Sequence, residues 1–92
     1  MIRSLRHRGL KRLFESGDAS RLNPALLNRI QDILTLLDAA GTLAELNLPG
    51  YRLHPLKGDW KGFWSITVSG NWRVVFRFED GNALDVDLVD YH

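Results

Sequence analysis

The stretch Trp64-Ser65-Ile66-Thr67-Val68-Ser69-Gly70-Asn71-Trp72-Arg73-Val74-Val75-Phe76-Arg77-Phe78 decides the fold. Trp64, Ile66 and Val68 alternate with Ser65, Thr67 and Ser69. Trp72, Val74, Phe76 and Phe78 then alternate with Arg73, Val75 and Arg77. A period of two predicts paired strands with one buried and one polar face. A slip of one residue would turn every side chain over, so the register that keeps like with like pairs Ile66 with Val74 and leaves Ser69, Gly70 and Asn71 as a three-residue loop. The same logic makes Asp80, Gly81 and Asn82 the next loop and pairs Phe76 with Val86. Arg77 then faces Asp85, Val89 lies opposite Arg73, and Tyr91 sits diagonally from that arginine on the polar face. Trp64 and Trp72 fall on the apolar face and read as core.

Working outward, four strand-like runs (51 to 56, 63 to 69, 72 to 78 and 83 to 90) predict an antiparallel meander. Upstream the period is helical. His7 to Glu15 carries Leu10, Leu13 and Phe14 and stops at Gly17. A second helix has Asn23 as N-cap, Pro24 at its first position, and an apolar stripe of Leu26, Leu27, Ile30, Ile33, Leu34 and Leu37 that ends at Gly41. Thr42 and Glu45 form a capping box for one more turn, and Asn47-Leu48-Pro49-Gly50 breaks the pattern. Ile2 to Leu5 reads as a short strand. The expected architecture is α+β in the order βααββββ, one domain spanning residues 1 to 92.

With 45% apolar residues, three Trp and four Phe, the chain has the means to build a core and is no disordered segment. It has no cysteine, which excludes a disulfide framework, a thiolate zinc site and a cysteine nucleophile. No apolar run is long enough for a membrane span and no secretory leader is evident, so a cytoplasmic protein is expected. The net charge of +1 conceals a partition: residues 1 to 29 carry +5, 30 to 50 carry −3, 51 to 77 carry +4 and 78 to 92 carry −5. Two basic segments meeting on one surface would suit a polyphosphate partner, whereas apart they are solvated surface.

The polar groups that call for explanation are His54, Lys57, Arg73, Asp90, Tyr91 and His92. A sheet can gather them on one face. Cleavage of RNA by internal transfer needs a base for the 2′-hydroxyl proton, an acid for the 5′-oxygen and cations for the phosphate. This set holds all three, and the attacking hydroxyl comes with the substrate. Asp85, Asp87 and Asp90 at period two read as a solvated strand face and not as metal ligands, and the three His lack zinc spacing. His7 reads as exposed or capping.

At these positions the chain resembles the HigB-type plasmid-maintenance killer toxins of the RelE superfamily. The resemblance runs through Met1-Ile2-Arg3-Ser4, Leu53-His54-Pro55-Leu56-Lys57-Gly58-Asp59, Trp64-Ser65-Ile66, Asn71-Trp72-Arg73 and Asp90-Tyr91-His92. It implies a RelE-like fold and a messenger RNA interferase that cuts codons in the ribosomal decoding site without cofactor or metal, held in check by a helix-turn-helix antitoxin. His54, Lys57, Arg73, Asp90, Tyr91 and His92 match positions the family uses for catalysis. His92 is then the general acid or an acid/base partner, His54 a second proton carrier, and Lys57 and Arg73 the phosphate holders. Tyr91 stacks on or orients a base, and Asp90 positions a neighbour. Asn71 and Lys61 are expected at the RNA, and Arg8, Lys11 and Arg12 either contact ribosomal RNA or form the water-facing side of their helix. Asp85, Asp87 and Asp90 place negative charge near that docking surface. Two other readings remain: a toxin-fold binding module with weak or no nuclease activity, and a ribonuclease independent of ribosomes.

Overall fold

The computed structural model describes residues 1–91. Two helices, α1 (Arg8–Ser16) and α2 (Pro24–Ala39), precede an antiparallel sheet of β1 (His54–Pro55), β2 (Trp64–Ser69), β3 (Trp72–Glu79) and β4 (Asn82–Asp90), with the strands in chain order. His7 caps α1: its Nδ1 accepts the backbone N–H groups of Gly9 and Leu10 at 3.1 and 3.2 Å. Gly17 ends that helix in the left-handed conformation, which glycine adopts without a Cβ penalty. Asn23 accepts the N–H of Ala25 ahead of α2, with Pro24 at the position where its missing N–H is not needed. The helix stops at Ala39, before Gly41, because Ala40 is already extended. Glu45 then accepts the N–H groups of Gly41 and Thr42, the predicted capping box, around a 3-10 turn (Leu43–Leu46).

Both helices pack on one side of the sheet. Leu10 and Leu13 of α1 and Leu26, Ile30, Ile33, Leu34 and Leu37 of α2 share one core with Ile66, Val68, Val74, Phe76, Ala83 and Val86. Ile30, Ile33, Leu37 and Phe76 are completely buried, and truncating any of them to alanine removes about 2–5 kcal/mol. The opposite face is less uniformly polar than alternation predicts, because Ser65 and Val75 on that side are also buried.

Four expectations need correction. The predicted strand 51 to 56 contributes only His54–Pro55 to the ladder, since Arg52 takes a left-handed φ of 51° and Pro55 has no N–H to donate. The amino-terminal strand is two isolated parallel bridges, Ile2 to Ala83 and Leu5 to Val86. Between them the Asp85 N–H, turned by a φ of 53°, is taken by the Ser4 hydroxyl at 2.8 Å instead of by backbone.

Both hairpin loops have two residues, not three: Gly70-Asn71 and Asp80-Gly81. Ile66 pairs with Val74 and Arg73 with Val89 as expected, but a bulge between Thr67 and Ser69 shortens the first loop. In the second hairpin, Arg77 pairs with Leu84 while Val75 pairs with Asp87, so Asp85 and Val86 together oppose Phe76. Asp80 and Gly81 both have positive φ, the demand of a tight two-residue hairpin turn that an Asp-Gly pair meets. Finally, Trp64 packs against the core but Trp72 is 37% exposed and lies outside it, at the sheet end where β3 begins.

Candidate active site

The sheet register places the site on the face turned away from the helices. His54 pairs with Ser65, Ser65 with Val75 and Val75 with Asp87, giving one cross-strand row. The next row on that face runs Thr67, Arg73, Val89. Two strand spacings and two residue rises separate the Cα atoms of His54 and Arg73 by about 12 Å.

His54 is exposed, and its Nδ1 lies 2.9 Å from the carbonyl oxygen of Arg52. A carbonyl only accepts, so Nδ1 carries the hydrogen and Nε2 of the neutral ring carries the lone pair. The ring is therefore oriented as a proton acceptor at Nε2. Arg73 is gripped from behind: its Nη1 donates to the carbonyls of Gly70 at 2.5 Å and Trp72 at 3.2 Å, which fixes the plane of the guanidinium. It forms no ion pair among the described residues, so the cross-strand ion pair that a lone strand arginine would suggest is not what holds it. Ser65 Oγ, Thr67 Oγ1 and Arg73 Nε are buried without a hydrogen-bond partner among the described residues, a line of orphaned polar atoms between His54 and Arg73.

The hairpin turn brings Asn71 to the end of the same site: its carbonyl accepts the Tyr91 N–H at 2.8 Å and holds the chain as it leaves β4. Tyr91 follows by alternation on the face of Arg73 and is half-buried. Asp90 is exposed opposite Trp72. His92, the expected general acid, lies outside the described residues. Lys57 and Lys61 flank a 3-10 turn (Gly58–Trp60) in the connection from β1 to β2, both exposed, directly after His54. Arg8, Lys11 and Arg12 are not part of this grouping. α1 packs its apolar side into the core on the helix-bearing face, so its cations lie across the sheet from His54 and Arg73, and Arg12 is paired with Asp18 at 3.4 Å. Asp18 is held below its ordinary pKa, chiefly by the Ser20 backbone N–H, then the Ser20 hydroxyl and Arg12, and it too is remote from the site.

The acidic strand is less exposed to an incoming anion than its sequence suggests. Asp85 is shared by Arg77 at 3.5 Å and Arg6 at 3.8 Å, and the Asp87 carboxylate accepts the N–H of Leu88 at 2.9 Å. Among the described residues no three His, Asp or Glu side chains are grouped to hold an ion. Arg6, Arg52 and Arg29 were not singled out from sequence. Arg6 reaches from the amino-terminal segment over the Phe63 ring at 5.3 Å, Arg52 supplies the carbonyl for His54, and Arg29 grips the loop ahead of it. No local pattern marks these roles, because each depends on a contact across the fold.

The architecture is that of small toxin domains. A mutant of YafQ from E. coli aligns over 96% of this chain and 92% of its own, with a TM-score of 0.61 and 24% identity. A copper-bound mutant toxin from Helicobacter pylori covers 97% and 91%, with a TM-score of 0.56 and 22% identity. In sequence, residues 3–92 match the HigB-like toxins, described as RelE-like toxins of type II toxin-antitoxin systems. "Endoribonuclease HigB" of Proteus vulgaris is 49% identical over 92 residues, the whole of both chains, and "Toxin HigB-1" of Vibrio cholerae serotype O1 is 33% identical over 96% of this chain and 95% of its own. The chain belongs to the HigB-like toxin family.

Proposed function

We propose that this toxin is an endoribonuclease that cuts messenger RNA in the ribosomal decoding site and so arrests translation, until a helix-turn-helix antitoxin binds it. The ribonuclease class rests on 49% identity, end to end, with an endoribonuclease. The observation that carries the chemistry is the pairing, on one open sheet face, of an imidazole whose Nε2 is the acceptor with an arginine fixed by two carbonyls and, among the described residues, not paired with a carboxylate.

The reaction follows from those groups. His54 Nε2 takes the proton of the substrate 2′-hydroxyl as the 2′-oxygen bonds to phosphorus. The bond from phosphorus to the 5′-oxygen breaks, and that oxygen receives a proton from the imidazolium of His92. The products are a 2′,3′-cyclic phosphate and a 5′-hydroxyl end. Arg73 and Lys57 meet the charge that grows on the non-bridging oxygens, Tyr91 stacks on a base, Asp90 positions a neighbouring group, and Asn71 and Lys61 contact the RNA. Each role is filled by a side chain or by the substrate itself, so no metal or cofactor is called for.

Ribosome dependence is supported by the separation of charges. The basic residues Arg8, Lys11 and Arg12 lie on the other side of the sheet, where they suit a second polyanion, ribosomal RNA, while the message occupies the site. The setting is cytoplasmic, and no helix among the described residues is long and apolar enough to cross a membrane. The test is to map new 5′ ends on translated and untranslated copies of one message, with wild type and with His54→Gln, His92→Gln and Arg73→Ala. Cutting of the translated copy alone, lost in the variants, is the expected result. Cutting of both copies would remove the ribosome from the reading. Cutting of neither by folded protein would leave only a binding module.

A further inference from the structure

Arg29 ties α2 to the loop leading into β1. Its Nη2 donates to the carbonyl of Gly50 at 2.7 Å, its guanidinium lies over the Tyr51 ring at 4.3 Å, and its Nε reaches the carbonyl of Thr67 on β2 at 3.4 Å. The Tyr51 carbonyl in turn accepts the N–H of Thr67 at 2.8 Å. Gly50 and Tyr51 are thus held from three directions. The next residue, Arg52, sits at a φ of 51°, a left-handed conformation that a side chain with a Cβ avoids unless its neighbours impose it. It is the Arg52 carbonyl that His54 uses to fix its ring.

We infer that Arg29 is a positioning residue: by clamping Gly50 and Tyr51 it holds Arg52 in its left-handed conformation, and so sets the His54 ring with Nδ1 protonated and Nε2 as the acceptor. This rests on the reading of His54 as the base that takes the 2′-hydroxyl proton. A guanidinium suits the task because a planar fork can bond a carbonyl and stack on a ring at once, which an ammonium cannot do with the same geometry. Without the clamp, Arg52 relaxes toward ordinary backbone, its carbonyl turns away, and the free ring reverts to the Nε2–H form favoured in water, which has no lone pair where the reaction needs one.

The experiment uses full-length protein with ¹⁵N-labelled histidine, read at a pH of about 8, where a free imidazole is neutral. The His54 signals are assigned by their loss in His54→Gln. Wild type is expected to show the Nδ1–H tautomer, Arg29→Ala a majority of the Nε2–H tautomer, and Arg29→Lys an intermediate mixture. If Arg29→Ala fails to fold, Arg29→Lys decides. Ring shifts identical to wild type in the folded variants overturn the inference, whatever their activity. In single-turnover cleavage on ribosomes, Arg29→Ala is expected to slow the cutting step about tenfold with half-saturation unchanged, and to have no further effect in a His54→Gln background. An equal loss in both backgrounds marks a general structural role and also overturns it. Should the tautomer change while His54→Gln cleaves like wild type, the clamp stands and the reading of His54 as the base falls.

Discussion

Replacing Arg73 with methionine separates what this residue does for the site from what it does for the fold. Methionine keeps an unbranched stem of similar length on β3 and removes the guanidinium. Two terms then oppose each other in stability. The hydrogen bonds from Nη1 to the Gly70 and Trp72 carbonyls disappear, each worth about 0.5–1.5 kcal/mol net and both at an exposed edge. Against that, the buried Nε without a partner disappears too, relieving a penalty of about 1–3 kcal/mol. The sum lies within about 2 kcal/mol of zero, so the melting temperature should stay within about 16 °C of wild type for a chain of this length. If Arg73 meets the developing phosphate charge as proposed, the site loses a preorganised cation, and comparable single-donor losses lower rates by about 10²–10³. Arg73→Lys should recover no more than about tenfold of that, since an ammonium restores charge but cannot be gripped in a plane by two carbonyls. The assays are calorimetric melting and single-turnover cleavage of a ribosome-bound message. A methionine variant that cuts at the wild-type rate, or a lysine variant that recovers it fully, would refute the reasoning.

Three more outcomes follow from the fold. Gly81→Ala puts a side chain at a φ of +77° with its Cβ 3.3 Å from the Gly41 carbonyl, and should lose about 1–3 kcal/mol by denaturant titration while leaving His54 and Arg73 unaltered. Trp64→Ala should lose about 2–4 kcal/mol and Trp72→Ala less than about 1.5, because only the first packs on the core; equal losses would place Trp72 inside it. Asp18 has a depressed carboxyl pKa in the folded chain, so whatever it adds to stability is fully present above the ordinary carboxylate range and is lost as pH falls through the folded value. Wild type should therefore exceed Asp18→Asn in stability at neutral pH, and the gap should close in acid; a gap that widened would contradict the assignment.

The helices and the middle of the sheet were legible because their information is local. Asn23 and Pro24 announce a helix start, and the alternation from Trp64 to Val68 pairs Ile66 with Val74 as read. The loops were misread by one residue each, since a bulge is set by backbone conformation at Asp85 and around Val68, not by the hydrophobic pattern that survives it. The strand from 51 to 56 failed for a related reason: Arg52 is an ordinary residue in sequence, and its left-handed conformation follows residues held by contacts from across the fold, Arg29 to Gly50 and Thr67 to Tyr51. On the face turned away from the helices, Arg73 stands opposite Val89, where alternation put it, while α1 turned its basic residues to the far side because its apolar stripe had to meet the core. Alternation already set Arg77 against Asp85, but the second cation on that carboxylate, Arg6, comes from the far end of the chain and could not be read locally.

The bridges between the amino-terminal segment and β4 join residues 81 apart in sequence, as does the Ser4–Asp85 hydrogen bond between them. Closing so long a loop is entropically a small addition, but it imposes an order in time. During synthesis Ile2 and Ser4 emerge early and have no strand to lie against until Ala83 to Val86 have been made, and the same β4 pairs with β3 beneath Arg73. A half-made chain therefore has neither its closing edge nor a finished reactive face. On the proposed reading of a message on the ribosome as its substrate, the chain becomes competent to cut only once its last strand, which is also its keystone, is in place.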